Sequence, residues 1–409
     1  MPNTEQLTRY ADVLIQVGLN VQPGQPVSIN APIEAADFVR VLVERCYHAG
    51  AATVSIDWYD PLCKRIRLEL EPEAGLQDVP KWVSQKMLEE CQKNTAFLHI
   101  DAEDPDLLAG VDPRRISLQS KARRAALRET DPYFMEDRVT WLVCSIPTTD
   151  WAMKLFPGES AETAVAKLWD AIFSVTRMHE QDPVAAWREH LNKLQERAAY
   201  LNKQHFVKLH YRGPGTDLTV ELPERHQWLA ASAKNDQGHA FVPNMPTEEV
   251  FTLPKRDGVN GTLRSTMPLA YEGVVIEDLE LSFEGGRIVN FNARSGYETI
   301  KELVETDEGS HYLGEIALVP VDSPISRRNT LFYNTLFDEN ASCHVAIGEA
   351  YPVCLEGGVD MSKDELKASG ANESMMHVDF MIGSSALDID GYLADGTLVP
   401  LFRGGNWAI

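Results

Sequence analysis

Cysteine is scarce in this chain and shows no paired spacing. Six are scattered through 409 residues, at Cys46, Cys63, Cys91, Cys144, Cys343 and Cys354. That argues against a disulfide framework and against a cysteine-ligated zinc site, and it fits a reducing compartment. Long apolar runs are missing too: none approaches the ~20 residues that a membrane-spanning helix requires. Positive charge is in deficit, with 38 Lys and Arg against 61 Asp and Glu and a formal net charge of −23. Nucleic acid and anionic membrane surfaces are therefore disfavoured as partners, since phosphate binding needs clustered Lys and Arg. The segment Met1-Pro2-Asn3-Thr4-Glu5-Gln6 has no basic region followed by an apolar one, so no secretory leader is expected and a cytoplasmic location is. Among catalytic signatures, the dinucleotide glycines, the phosphate-loop lysine, the Gly-x-Ser-x-Gly elbow and the His-Glu-x-x-His helix are all absent. Any active site must be assembled from separated segments.

What is present is a soluble globular composition, 44% apolar and 24% charged, long enough for two domains. The first half alternates strand and helix. Pro26–Asn30, Thr53–Trp58, Ala96–Ile100 and Val139–Cys144 read as strands, and Ile33–Ala49 as a helix stopped by Gly50. Such alternation predicts a mostly parallel sheet covered by helices. Asp182-Pro183 opens a long helix whose apolar stripe runs through Val184, Trp187, Leu191, Leu194, Ala198 and Leu201. A domain boundary is expected at its end, giving an α/β domain over 1–202 and a strand-rich α+β domain over 203–409. In the second half, Gly285-Gly286 joins two strands as a hairpin, and Ala394-Asp395-Gly396-Thr397 is a further turn. Asp388-Ile389-Asp390-Gly391 lacks EF-hand spacing and is not read as a calcium loop.

The chemistry concentrates in the second half. In Met376-His377-Val378-Asp379-Phe380-Met381-Ile382-Gly383 the residues alternate, so a strand would turn His377 and Asp379 to one face and Val378, Phe380 and Ile382 to the other. An imidazole and a carboxylate side by side can satisfy each other, or can ligate zinc, cobalt or manganese. Three other fragments add donors. Pro246-Thr247-Glu248-Glu249-Val250-Phe251-Thr252 carries two acids, Gly314-Glu315-Ile316-Ala317 one, and Asn340-Ala341-Ser342-Cys343-His344-Val345-Ala346-Ile347-Gly348 a second histidine. Taken singly, each has an ordinary reading as a solvated acid or a satisfied core histidine. Cys343 and His344 would face opposite ways on a strand, which makes them a poor catalytic dyad.

Taken together, these four segments resemble the aminopeptidase T and aminopeptidase S group of bacterial metallo-aminopeptidases, the thermophilic metalloproteases. Echoes in the first half are His99-Ile100-Asp101-Ala102-Glu103-Asp104-Pro105 and Lys167-Leu168-Trp169-Asp170-Ala171-Ile172. The resemblance implies Glu249, Glu315, His344, His377 and Asp379 as metal ligands and Tyr351 as an active-site tyrosine. Glu249 rather than Glu248 matches the ligand position. Two divalent ions are expected, zinc first, with cobalt or manganese as alternatives. Three ionised carboxylates and one hydroxide would balance two such ions, whereas one ion would leave the site under-neutralised. Five ligands for two ions need a shared group, and Glu315 is the expected bridge. The implied activity is removal of the first residue from short peptides with a free N-terminus, through a metal-bridged hydroxide, by a homodimer. A metal-dependent hydrolase of other amides or esters, and a non-catalytic peptide-binding protein that keeps a structural metal, remain as alternatives. Trp407, beside Gly404-Gly405-Asn406, is read either as an interface residue or as folded back on its own domain.

Overall fold

The computed structural model describes residues 1–271 and 274–409. It contains two compact units, one formed by Met1–His190 and Ser232–Pro246, the other by Leu191–Ala231 and Thr247–Ile409. The chain crosses from the first to the second within the helix Pro183–Gln204, which Asp182 caps through its Oδ1, 3.0 Å from the Ala185 amide.

The first unit is built on four strands, Pro26–Pro32, Thr53–Tyr59, Ala96–Ile100 and Trp141–Cys144, all parallel. The Pro26–Pro32 strand lies between the second and third, and the fourth follows the third. This is the parallel sheet that the alternation predicts. The helix expected over Ile33–Ala49 begins with a 3-10 turn at Ile33–Ala35 and runs as an α-helix from Ala36 to His48. It buries Phe38, Val39, Leu42 and Cys46. Phe38 stacks on Tyr10 at 5.4 Å, and both meet the edge of Trp169. The segment Ser232–Pro246 bonds to the outer strand, with the Val143 amide donating to Pro243 and the Met245 amide donating to Val143. An edge that would otherwise offer unpaired backbone groups is thereby covered.

The second unit is built on two large antiparallel sheets, beside a two-stranded one of Leu269–Tyr271 and Val274–Ile276. One has eight strands, in the order Arg287–Asn292, Glu280–Glu284, Val259–Arg264, Thr216–Glu221, Lys208–Gly213, Asp388–Tyr392, Leu398–Arg403, Asn406–Trp407. The other has five, in the order His377–Met381, His344–Gly348, Leu313–Leu318, Val250–Thr252, Leu229–Ala230. Their apolar faces share one core. Leu209, Tyr211, Leu218, Val220, Leu281 and Phe283 come from the larger sheet, and Val250, Ile316, Leu318, Val345, Ile347, Val378 and Phe380 from the smaller. Burial of each such side chain contributes about 1.5–3 kcal/mol. The smaller sheet thus has one face committed to the core, and its polar residues emerge on the other.

Local readings from the sequence resolve individually. The Gly285-Gly286 hairpin is present, with both glycines at positive φ. Asp390 is buried and takes ion pairs from Arg212 and Arg403. Trp407 packs against Phe402, ring centroids 4.5 Å apart, within its own unit. All six cysteines are free. Among the described residues no helix is long and apolar enough to cross a membrane.

Candidate metal centre

Register decides which side chains meet. Ala346 pairs with Glu315 on one neighbouring strand and with Asp379 on the other; Gly348 pairs with His377, and His344 with Ala317 and Met381. Phe251 pairs with Ala317, which turns Glu249, two residues before it, to the same side. Glu249, Glu315, His344, His377 and Asp379 therefore project from one face of four adjacent strands. Glu315 reaches this face through an irregularity. Leu313 pairs with Ile347 and Glu315 with Ala346, so a bulge at Gly314 intervenes. Unbulged, Leu313 and Glu315 would share the core face. The extra residue sends Leu313 to the core and Glu315 to the polar side.

The side chains converge in two groups, Glu249 with Glu315 and His344, and Glu315 with His377 and Asp379; within each, one ligand atom per residue lies within 4.8 Å of the others. His344 Nε2 is 3.1 Å from Glu249 Oε2 and 3.7 Å from Glu315 Oε1. His377 Nε2 is 3.4 Å from Glu315 Oε2 and 3.7 Å from Asp379 Oδ2. Glu315 is thus common to both groups and turns a different oxygen to each. Both imidazoles are oriented from behind, His344 Nδ1 donating to the Ser342 carbonyl at 3.1 Å and His377 Nδ1 to the Glu349 carbonyl at 2.8 Å. That leaves Nε2 of each ring for the cluster, the arrangement in which backbone carbonyls fix the tautomer of a metal-ligating histidine.

Electrostatics mark the same residues. Burial alone would push the Glu315 carboxyl up, but hydrogen bonds from His344 and His377 outweigh it and hold the pKa at about 2. Burial raises Glu249 and Asp379, against the opposing pull of the histidines. For the histidines burial works downward, and the carboxylates overcome it: His377 rises to about 10, and His344 well above its usual value. The cluster is strongly cation-seeking. Asp379 Oδ1 is buried with no hydrogen-bond partner, which leaves an acceptor for which a cation would compensate. Oxygen and imidazole donors in this number, oriented and buried, fit a divalent metal, whose binding would compete with protons for the same atoms.

Tyr351 stands beside the cluster. Its ring centroid is 4.7 Å from that of His377 and 6.4 Å from that of Phe251. Burial, and then the charges of Glu315, Asp379, Glu339 and Glu249, push its hydroxyl pKa well up, so it is a donor at neutral pH. Sequence reasoning missed Glu339. It opens the 3-10 turn Glu339–Ala341, which packs against the His377–Met381 strand. Burial, and then Asp379 and Glu249, raise its pKa well above normal. Asn340, fully buried, holds this region together: its Oδ1 accepts from the Glu248 amide at 2.8 Å, and its Nδ2 donates to Leu336 O and to Glu339 Oε1. The available signal was position, since Glu339 immediately precedes the Asn340–Gly348 motif.

A sequence profile of the thermophilic metalloprotease (M29) family matches residues 3–407. The chain is 49% identical over 405 residues to aminopeptidase AmpS of Bacillus subtilis (strain 168), covering 99% of each. It is 45% identical over 406 residues to aminopeptidase T of Thermus aquaticus, again covering 99% of each. Among solved structures, wild-type AmpT from Thermus thermophilus superposes with a TM-score of 0.93 at 41% identity, over 99% of both chains.

Proposed function

The chain belongs to the thermophilic metalloprotease family (M29), and from that premise we propose that it is a dinuclear metallo-aminopeptidase. It removes the first residue of short peptides that have a free N-terminus. The observation that carries the dinuclear reading is Glu315, with one carboxylate oxygen toward His344 and the other toward His377. In this reading Glu249 and His344 would hold one ion and His377 and Asp379 the other, with Glu315 common to both groups. Glu339 is our candidate for a further oxygen donor. Divalent ions held there, zinc first with cobalt or manganese as alternatives, would supply the Lewis acidity that activates water and polarises the scissile carbonyl.

The remaining work falls to side chains. The Ser342 and Glu349 carbonyls keep both imidazoles in the ligating tautomer. The hydroxyl of Tyr351 donates a hydrogen bond to the oxygen of the tetrahedral intermediate as its charge develops, a contact worth ~3 kcal/mol in a water-poor site. A free α-ammonium group would pair with a carboxylate beside the centre, a contact that a blocked amine could not make. Restriction to free N-termini follows.

The test uses amino-acid anilides with and without a blocked amine, before and after chelation. Cleavage of free-amine substrates alone, lost on chelation and regained with metal, supports the reading. Equal cleavage of blocked substrates points instead to a general hydrolase, and no cleavage by metal-replete protein to a binding module. We carry the homodimer forward as part of this proposal. Light scattering that gives the 45.7 kDa mass of one chain, with full activity, would remove it.

A further inference from the structure

An apolar patch continues the polar face of the five-stranded sheet. Phe251 lies two residues beyond Glu249 on the same side of its strand, about 7 Å along. Leu229 is its registered partner on the outer strand and shares that face. The Tyr351 ring links the patch to the cluster, 6.4 Å from Phe251 and 4.7 Å from His377. Beneath lies a small separate core of Leu253, Ala350, Cys354, Leu355 and Ala371, all buried. Above it Leu229, Phe251, Tyr351 and Val353 are only partly buried. Partly exposed apolar side chains over a buried apolar floor, adjoining a charged centre, form a surface that a ligand can still desolvate.

We infer that this patch is the subsite for the side chain of the substrate's first residue, with Phe251 and Leu229 as its specificity-determining walls and apolar first residues as its preferred class. The inference rests on the aminopeptidase reading above. The occupant follows from covalent geometry. That side chain leaves the carbon next to the scissile carbonyl, so its pocket must begin within one side-chain length of the metal ligands, and the Tyr351–Phe251–Leu229 run does. An acidic first side chain would be desolvated against apolar walls and is rejected on that count. A branched apolar chain would bury surface that Phe251, Leu229 and Val353 now leave partly open.

The test compares kcat/KM for leucyl, alanyl and aspartyl anilides in the metal-replete enzyme. The leucyl-to-alanyl ratio is expected to exceed tenfold, with aspartyl slowest, which is the range that added methylenes provide in an apolar pocket. Phe251→Ala should lower that ratio about tenfold, and Leu229→Trp, which fills the pocket, should lower it as well. Metal content and the unfolding temperature are measured in parallel. An unchanged ratio in both variants, with wild-type cleaving free-amine anilides, puts the pocket elsewhere and overturns the inference. An equal loss on all substrates together with loss of metal makes these residues structural and overturns it too. A wild-type enzyme inert toward every free-amine anilide instead overturns the aminopeptidase reading, and the subsite with it.

Discussion

Glu315 lies directly across Ala346 from Asp379. Both register on that one small residue of the His344–Gly348 strand, from opposite sides. The alanine leaves the space above the strand open, so the two carboxylates look toward each other over it rather than being separated by a large side chain. His344 and His377 then close the remaining sides. The pairing depends on the bulge at Gly314, because regular pairing from Leu313 would have set Glu315 opposite Val345, on the core face.

Gly314 is accordingly a sensitive position. A Cβ there would come 2.1 Å from the Glu349 carbonyl oxygen and 2.4 Å from that of Gly348, and neither backbone group is a flexible chain end. Gly314→Ala is expected to disturb the bulge, move Glu315 and displace the Glu349 carbonyl that orients His377. Metal content should fall and activity drop at least tenfold. A Gly314→Ala enzyme with full metal and normal kcat would show that the bulge is not what positions Glu315.

Tyr351→Phe separates chemistry from metal binding. Removing the hydroxyl should lower kcat about 100-fold with a smaller change in KM, while bound metal stays the same. Near-normal kcat would reduce Tyr351 to a packing residue.

His226 predicts an acid limit to stability in the second unit. It is buried, donates from Nδ1 to the Pro223 carbonyl at 2.7 Å, stacks on His205, and has no partner at Nε2. Burial chiefly, with the His205 charge adding, pulls its pKa from 6.5 to about 4. The folded state then binds fewer protons than the unfolded state between those values. Its contribution is fully present above pH 6.5 and is lost as pH falls toward 4, by up to about 3 kcal/mol. Urea unfolding at pH 7 and pH 4.5 should show this loss in wild-type and a smaller one in His226→Gln. Equal losses in both would remove His226 as the cause.

Much of this was legible in the sequence, for physical reasons that also mark where it stopped. The two-residue period put His377 and Asp379 on one face and Val378 and Phe380 on the other, and the strand does so because its apolar side is needed by the core. The same rule kept Cys343 apart from His344, and Cys343 does face inward, with its sulfur at Val319. The face taken by Glu315 was not legible from period alone, since a bulge inverts the count and a glycine is only a weak sign of one. Glu339 escaped because it lies on a one-turn helix with no periodicity. Asp390, unassigned from sequence, is held by Arg212 and by Arg403; the Arg212 pairing comes from a strand 178 residues away.

The most direct test of the central claim is a metal titration. Metal-stripped protein is loaded with zinc while bound metal and cleavage of a leucyl anilide are followed together. Two equivalents per chain are expected, with full activity only at the second. His377→Ala should bind less metal and lose activity while the circular dichroism of the α/β unit persists. Full activity without metal, saturation at a single equivalent, or a fully active His377→Ala variant would contradict a two-ion centre built on Glu315.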